Sequence, residues 1–165
     1  PYSPAPHTPR TKTMLHPLPL SLALLALSSP TAPNAGGWST AVFDTQDGYT
    51  LTVSRLHRTT RMSLATGDPK EDVVCQDISS TPQDIGSNLQ TASVRAEVGA
   101  GFGTVRPYIP PAWSAEGGGG TCAYGITNMP GTVRVTLGSR GRMYGRDMDL
   151  SPATATALAD FIQAP

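Results

Sequence analysis

Neither charge sign is in surplus: 12 lysines and arginines face 12 aspartates and glutamates, so the formal net charge is zero. A nucleic-acid binder carries a basic surplus on one face, so nucleic acid is not an expected partner. Lysine is nearly missing and occurs only as Lys12 and Lys70. Aromatics are 6% and charged residues 15% of the 165 residues, which suits a modest core under a weakly charged surface. Long apolar runs are lacking too. The run at 18–27, L-P-L-S-L-A-L-L-A-L, is about half the ~20 residues that a spanning helix needs, so no stable membrane span is expected.

Cysteine is scarce, with only Cys75 and Cys122. They lie far apart and outside any C-x-x-C, so a thioredoxin-like redox motif is excluded. After residue 36 the only histidine is His57, and no Cys/His spacing fits a metal. No metal or other cofactor is expected. In an exported protein the two cysteines are expected to pair as a disulfide. Closing a loop of that size constrains the unfolded chain by roughly 4 kcal/mol.

Glycine and proline are abundant, at 17 and 16 residues. They predict many turns and long connections rather than a helical bundle. Residues 1–36 read as a leader. A proline-rich start without apolar periodicity is expected to be disordered. Arg10 and Lys12, the apolar run and small residues at Ala26-Leu27-Ser28 then follow the plan of a secretory signal peptide. The competing reading of 1–36 is an extended arm that docks on a neighbouring subunit. Residues 37–165 read as one small domain.

The stretch V-G-A-G-F-G-T-V-R, from Val98 to Arg106, has the look of a phosphate-binding loop. A kinase loop needs G-x-G-x-x-G and a lysine on the next strand. Here Gly99, Gly101 and Gly103 alternate, and no lysine follows Lys70. Pro107 also stands where a dinucleotide site would start a helix. The reading is a glycine turn between strands at 94–98 and 104–109.

Period-two alternation and turn residues place the other elements. Strands are expected at 38–44 and 49–57 around Asp47-Gly48, at 60–64, 73–75, 122–126 and 132–137, and from about 143 to 150. Thr81-Pro82 followed by Asp84 opens a short helix at 82–92. Ser151-Pro152 opens a C-terminal helix with Leu158, Phe161 and Ile162 on its apolar stripe. The fold class is α+β: a mainly antiparallel sheet, a C-terminal helix and one short middle helix.

The most unusual segment is 106–121, R-P-Y-I-P-P-A-W-S-A-E-G-G-G-G-T. Its prolines stiffen one half and its glycines loosen the other. Arg106, Tyr108 and Trp113 are the binding candidates, because amphipathic aromatics on a loop suit a contact surface. For catalysis the residues offer His57, without a G-x-S-x-G serine, and the pair Asp147/Asp149, which shares one face of a strand. Arginines nearby make ion pairing the plainer role of that pair. The expected function is a secreted or extracytoplasmic binding module, inhibitor-like in kind, whose partner is another protein, and the balance leans away from an enzyme. Two alternatives stand beside it: a structural subunit of a larger assembly using 1–36 as its arm, and a small secreted hydrolase.

Overall fold

The structure, a computed structural model, describes residues 36–76, 78, 80–110, 122–139 and 145–165. The leader or arm, Gly36 apart, falls outside them, as does Trp113. The first half is a four-stranded antiparallel meander followed by a helix: β1 (Ser39–Asp44), β2 (Thr50–Leu56), β3 (Thr59–Ala65), β4 (Val73–Cys75) and α1 (Pro82–Glu97). The second half repeats that order with β5 (Gly103–Arg106), β6 (Cys122–Met129), β7 (Thr132–Ser139), β8 (Arg146–Leu150) and α2 (Pro152–Gln163). Strands pair in chain order within each half, giving two antiparallel four-stranded sheets and two helices. The α+β reading stands, with two sheets where one was expected.

Alternation decides which face of each strand is buried. In the first sheet Leu51 lies opposite Phe43 and Leu64, and Val53 opposite Ala41 and Met62. In the second, Val135 lies between Ile126 and Met148, and Val133 between Asn128 and Leu150. All but Phe43 are buried, and Leu51, Leu64, Leu137 and Leu150 are fully so. Each such leucine contributes about 1.5–3 kcal/mol by leaving water. The helices add Ile85, Leu89, Ala92 and Ala96 from α1 and Ala155, Leu158, Ala159 and Ile162 from α2 to the same core. Phe161 is only partly buried and meets Phe43 edge-on at 6.1 Å.

Both helices start alike. Thr81 and Ser151 are extended residues whose hydroxyls accept from the backbone N–H three residues on, and a proline fills the first turn of each. They also touch closely. The Ser93 hydroxyl lies 2.7 Å from the Pro152 carbonyl, to which it donates, and 2.8 Å from the Thr156 hydroxyl. Gly86 leaves room on α1 for the Gln163 side chain, which any β-carbon there would displace.

Helix α1 runs past the expected end at 92, and the strand expected at 94–98 does not form. Ile85, Leu89, Ala92 and Ala96 keep a helical stripe buried through that stretch, while Val94 and Val98 face outward. The alternation of Val94, Ala96 and Val98 has the wrong period for the face that is buried. The glycine stretch is therefore the helix stop. Gly99 sits at φ 68, and the N–H of Ala100 reaches back to the Arg95 carbonyl at 2.9 Å. Strand β5 starts after it and ends at Arg106, short of the expected 109.

Besides the helix contacts, backbone bonds link the ends of the two sheets. Ile78, just beyond β4, bridges in parallel to Cys122 at the start of β6. At the other side the tip of the β1–β2 hairpin reaches β8, where Gln46 N–H donates to the Asp149 carbonyl at 2.7 Å.

Candidate functional site

Arg106 and Tyr108, the two described residues of the candidate set, lie on the second sheet at the root of the 106–121 segment. The β5–β6 register shifts between Thr104 and Arg106, a bulge that turns the chain as it leaves the sheet. The Arg106 guanidinium lies 4.3 Å from the centroid of the buried Tyr124 ring. Its Nε is buried with no hydrogen-bond partner.

Tyr108 is half-buried, where a more exposed aromatic was expected. The reason is glycine. On the outward face of the second sheet, Gly125 and Gly138 belong to neighbouring cross-strand pairs, and Gly145 enters β8 beside them. A β-carbon at Gly125 would stand 2.8 Å from the Tyr108 backbone nitrogen, and one at Gly145 would stand 3.0 Å from its ring. One at Gly138 would overlap the hydroxyl. The missing side chains make a groove that takes the ring and its backbone. The Tyr108 hydroxyl ends up buried without a hydrogen-bond partner. Burial, with smaller contributions from Cys75 and Cys122, raises its pKa above the ordinary value. Sequence reasoning missed this groove. The available signal was glycine inside two strand runs, which marks a close approach by another chain segment.

Cys75 closes β4 and Cys122 opens β6, and both are buried. Where a disulfide was expected, both stand as thiols. The Cys75 thiol donates to the Gly138 carbonyl in the second half at 3.5 Å. The Cys122 thiol points back to the Val74 carbonyl in the first half, at 4.0 Å. The thiols are within hydrogen-bonding reach of each other, and that contact, followed by burial, pushes the Cys75 pKa far up.

Further along the outward face lies a polar cleft of about 320 Å³, lined by Asp47, Tyr49, Arg134, Asp147 and Asp149 among others. Arg134 makes a two-pronged bond to Asp149 at 2.7 and 2.8 Å, and stands 4.0 Å from Asp147. The hydrogen bond to Asp149, more than any other influence, holds its guanidinium above the usual arginine range. Thr136 donates to Asp147 at 2.7 Å, and the Asp149 N–H donates to Asp47 at 2.7 Å. Ion pairing is thus what Asp149 does, with Arg134 on the neighbouring strand. Arg146 pairs with Glu71 on the β3–β4 connection.

His57, the other chemical candidate, is exposed in the turn between β2 and β3 at φ 49. The aspartates meet the hairpin tip at the opposite end of β2. About 25 Å of extended strand separates Tyr49 from His57 at ~3.3 Å per residue, so the fold does not bring the histidine to the carboxylates.

Four of the six exposed large apolar residues among the described ones fall in one stretch of the chain, 94–109. Val94, Val98, Phe102 and Ile109 are all more than half exposed, and Phe102 reaches 75%. Among the described residues no helix is long and apolar enough to cross a membrane. Comparison with protein-family models, curated proteins and solved structures finds no match for the chain.

Proposed function

We propose that the chain is an extracytoplasmic, non-enzymatic binding module that engages another protein through the 106–121 segment and the surface leading into it. The observation that carries this reading is the run of exposed apolar residues Val94, Val98, Phe102 and Ile109 along the stretch of chain that leads into that segment. Large apolar side chains held in water in one stretch suit a contact surface. Tyr108 and Arg106 anchor the segment's root to the second sheet, which lowers the ordering cost of binding. The signal-peptide plan of the leader supports export.

A photo-crosslinker installed at Phe102 or Ile109 of the full chain, in its native host, tests the proposal. Capture of one protein from these positions, and not from Val42 on the first sheet, is the expected result. Binding of that protein should fall when Trp113 and Tyr108 are changed to alanine. Equal capture at all three positions, or affinity unchanged by Trp113→Ala with Tyr108→Ala, would sink it. Intact mass of protein from its source tests export, because removal of about 28–36 leading residues is the expected mark.

A further inference from the structure

We propose that Cys75 and Cys122 form a redox clamp, closing into a disulfide that ties β4 to β6 and fixes the root of the 106–121 segment. The value of such a clamp for binding rests on the function proposed above, whereas the disulfide itself does not.

The geometry is that of two thiols already collected at one junction. Cys75 reaches out of the first half to the Gly138 carbonyl. Cys122 faces the Val74 carbonyl, next to Cys75. The backbone bridge between Ile78 and Cys122 holds β4's continuation against β6. Exposure of the two residues is 0% and 3%, so both thiols are shielded from solvent, and they lie within hydrogen-bonding reach of each other. The junction is also where the segment is rooted. Tyr108 leaves the sheet with its hydroxyl over Gly138, the residue whose carbonyl Cys75 contacts. Cys122 is where the chain re-enters the sheet. A bond here pins the returning end beside the departing one.

The oxidant is a small dialkyl disulfide, RSSR. One cysteine, as thiolate, attacks a sulfur of RSSR. A mixed disulfide forms, and RS⁻ leaves and takes up the proton that the cysteine lost. The second cysteine's thiolate then attacks the protein sulfur of the mixed disulfide and expels the second RS⁻, which is protonated in turn. Two thiols and one RSSR give one protein disulfide and two RSH. Because both thiols are shielded from solvent, and the hydrogen bond to Cys122 followed by burial pushes the Cys75 pKa up, exchange is expected to be slow in the folded protein and faster where urea opens the junction.

The test equilibrates the full chain with oxidised and reduced glutathione at graded ratios, followed by acid quench, alkylation and mass measurement. The expected product is a monomer lacking two hydrogens, with one linked peptide carrying Cys75 and Cys122. Its Tm should exceed that of the reduced chain, and amides at 103–110 and 122–129 should exchange more slowly with deuterium. In the variant C75A/C122A, Tm and exchange should not respond to the glutathione ratio. Persistent single-glutathione adducts, disulfide-linked dimers, or thiols that stay alkylatable at every ratio with and without moderate urea would overturn the proposal. A disulfide that forms without slowing those amides would overturn the clamp. Loss of crosslinking at Phe102 and Ile109 bears on the binding reading and leaves this result untouched.

Discussion

The two halves share one plan and use it differently. Each is a four-stranded meander followed by a helix that a hydroxyl residue and a proline begin. The first sheet turns outward a plain face of hydroxyl residues, with Thr40 and Ser54 2.9 Å apart and Arg61 stacked on Trp38 at 4.0 Å. The second sheet turns outward three glycines, a seated tyrosine and the cleft lined by Arg134, Asp147 and Asp149. Its central strands are eight residues long, against seven in the first sheet. The inward faces are interchangeable in kind, apolar and alternating. Bulk burial therefore explains the architecture, and the outward faces carry what is particular to this protein.

The sharpest way to break the comparison is to test whether the halves unfold together. Leu51→Ala and Leu137→Ala, one in each sheet, should each cost about 2–5 kcal/mol. Urea unfolding should stay a single transition by far-UV circular dichroism and by fluorescence, because the helices bind both halves into one core. Two transitions, each moved by only one variant, would make the halves independent.

A second effect isolates the junction. The folded Cys75 thiol titrates far above its ordinary 9.0, so the folded state keeps a proton that the unfolded state loses in alkali. Its contribution is fully present below pH 9 and disappears as pH rises past that value. Stability under reducing conditions should be flat to about pH 9 and then fall, by at most about 1.4 kcal/mol per pH unit for this one group. Tyr108, raised above its ordinary 10.0, should steepen the fall beyond pH 10. Urea midpoints against pH, with Cys75→Ser removing the first part of the decline, check this.

The helix starts give a smaller contrast. Thr81→Ala and Ser151→Ala should each cost about 1 kcal/mol. Only α1 has an acid in its first turn, Asp84. Placing one in α2 by Thr154→Asp should add about 0.3–1 kcal/mol, which vanishes at high salt. Thermal midpoints at two ionic strengths read this out. Smallest of all is Gly86→Ala. The gain in helix propensity, about 1 kcal/mol, is set against displacing Gln163 from its contacts with Gln90 and the Gln83 carbonyl, so the net change in Tm should be slight.

Local chemistry was legible wherever it decides structure locally. Asp47-Gly48, Ser151-Pro152 and the period-two runs in β2 and β7 each named their element from a few residues. Val94 to Val98 misled because alternation and helical spacing overlap in so short a window, and the burial of Ala96 in the core settles it in favour of helix. Of the candidate site, Cys75 and Cys122 could be named in advance because they are the only two cysteines in the sequence, while the disulfide expected of them stands as two thiols. The seat of Tyr108 could not be foreseen, since it needs Gly125 of β6, Gly138 of β7 and Gly145 just before β8 brought side by side, which only the register provides. Arg134 escaped notice for the same reason: its partner Asp149 is its cross-strand neighbour, 15 residues away in sequence.

The hairpin tip at Gln46 and Asp47 has one more consequence. Strand β8 is the last of its sheet, and a bare last strand invites another molecule to add a strand of its own. Here the Asp149 carbonyl and N–H are both taken, by Gln46 and Asp47 respectively, and Thr132 holds Gln46 in place at 3.1 Å. The first half thus acts as a guard on the second, blocking the route by which sheets grow into fibres.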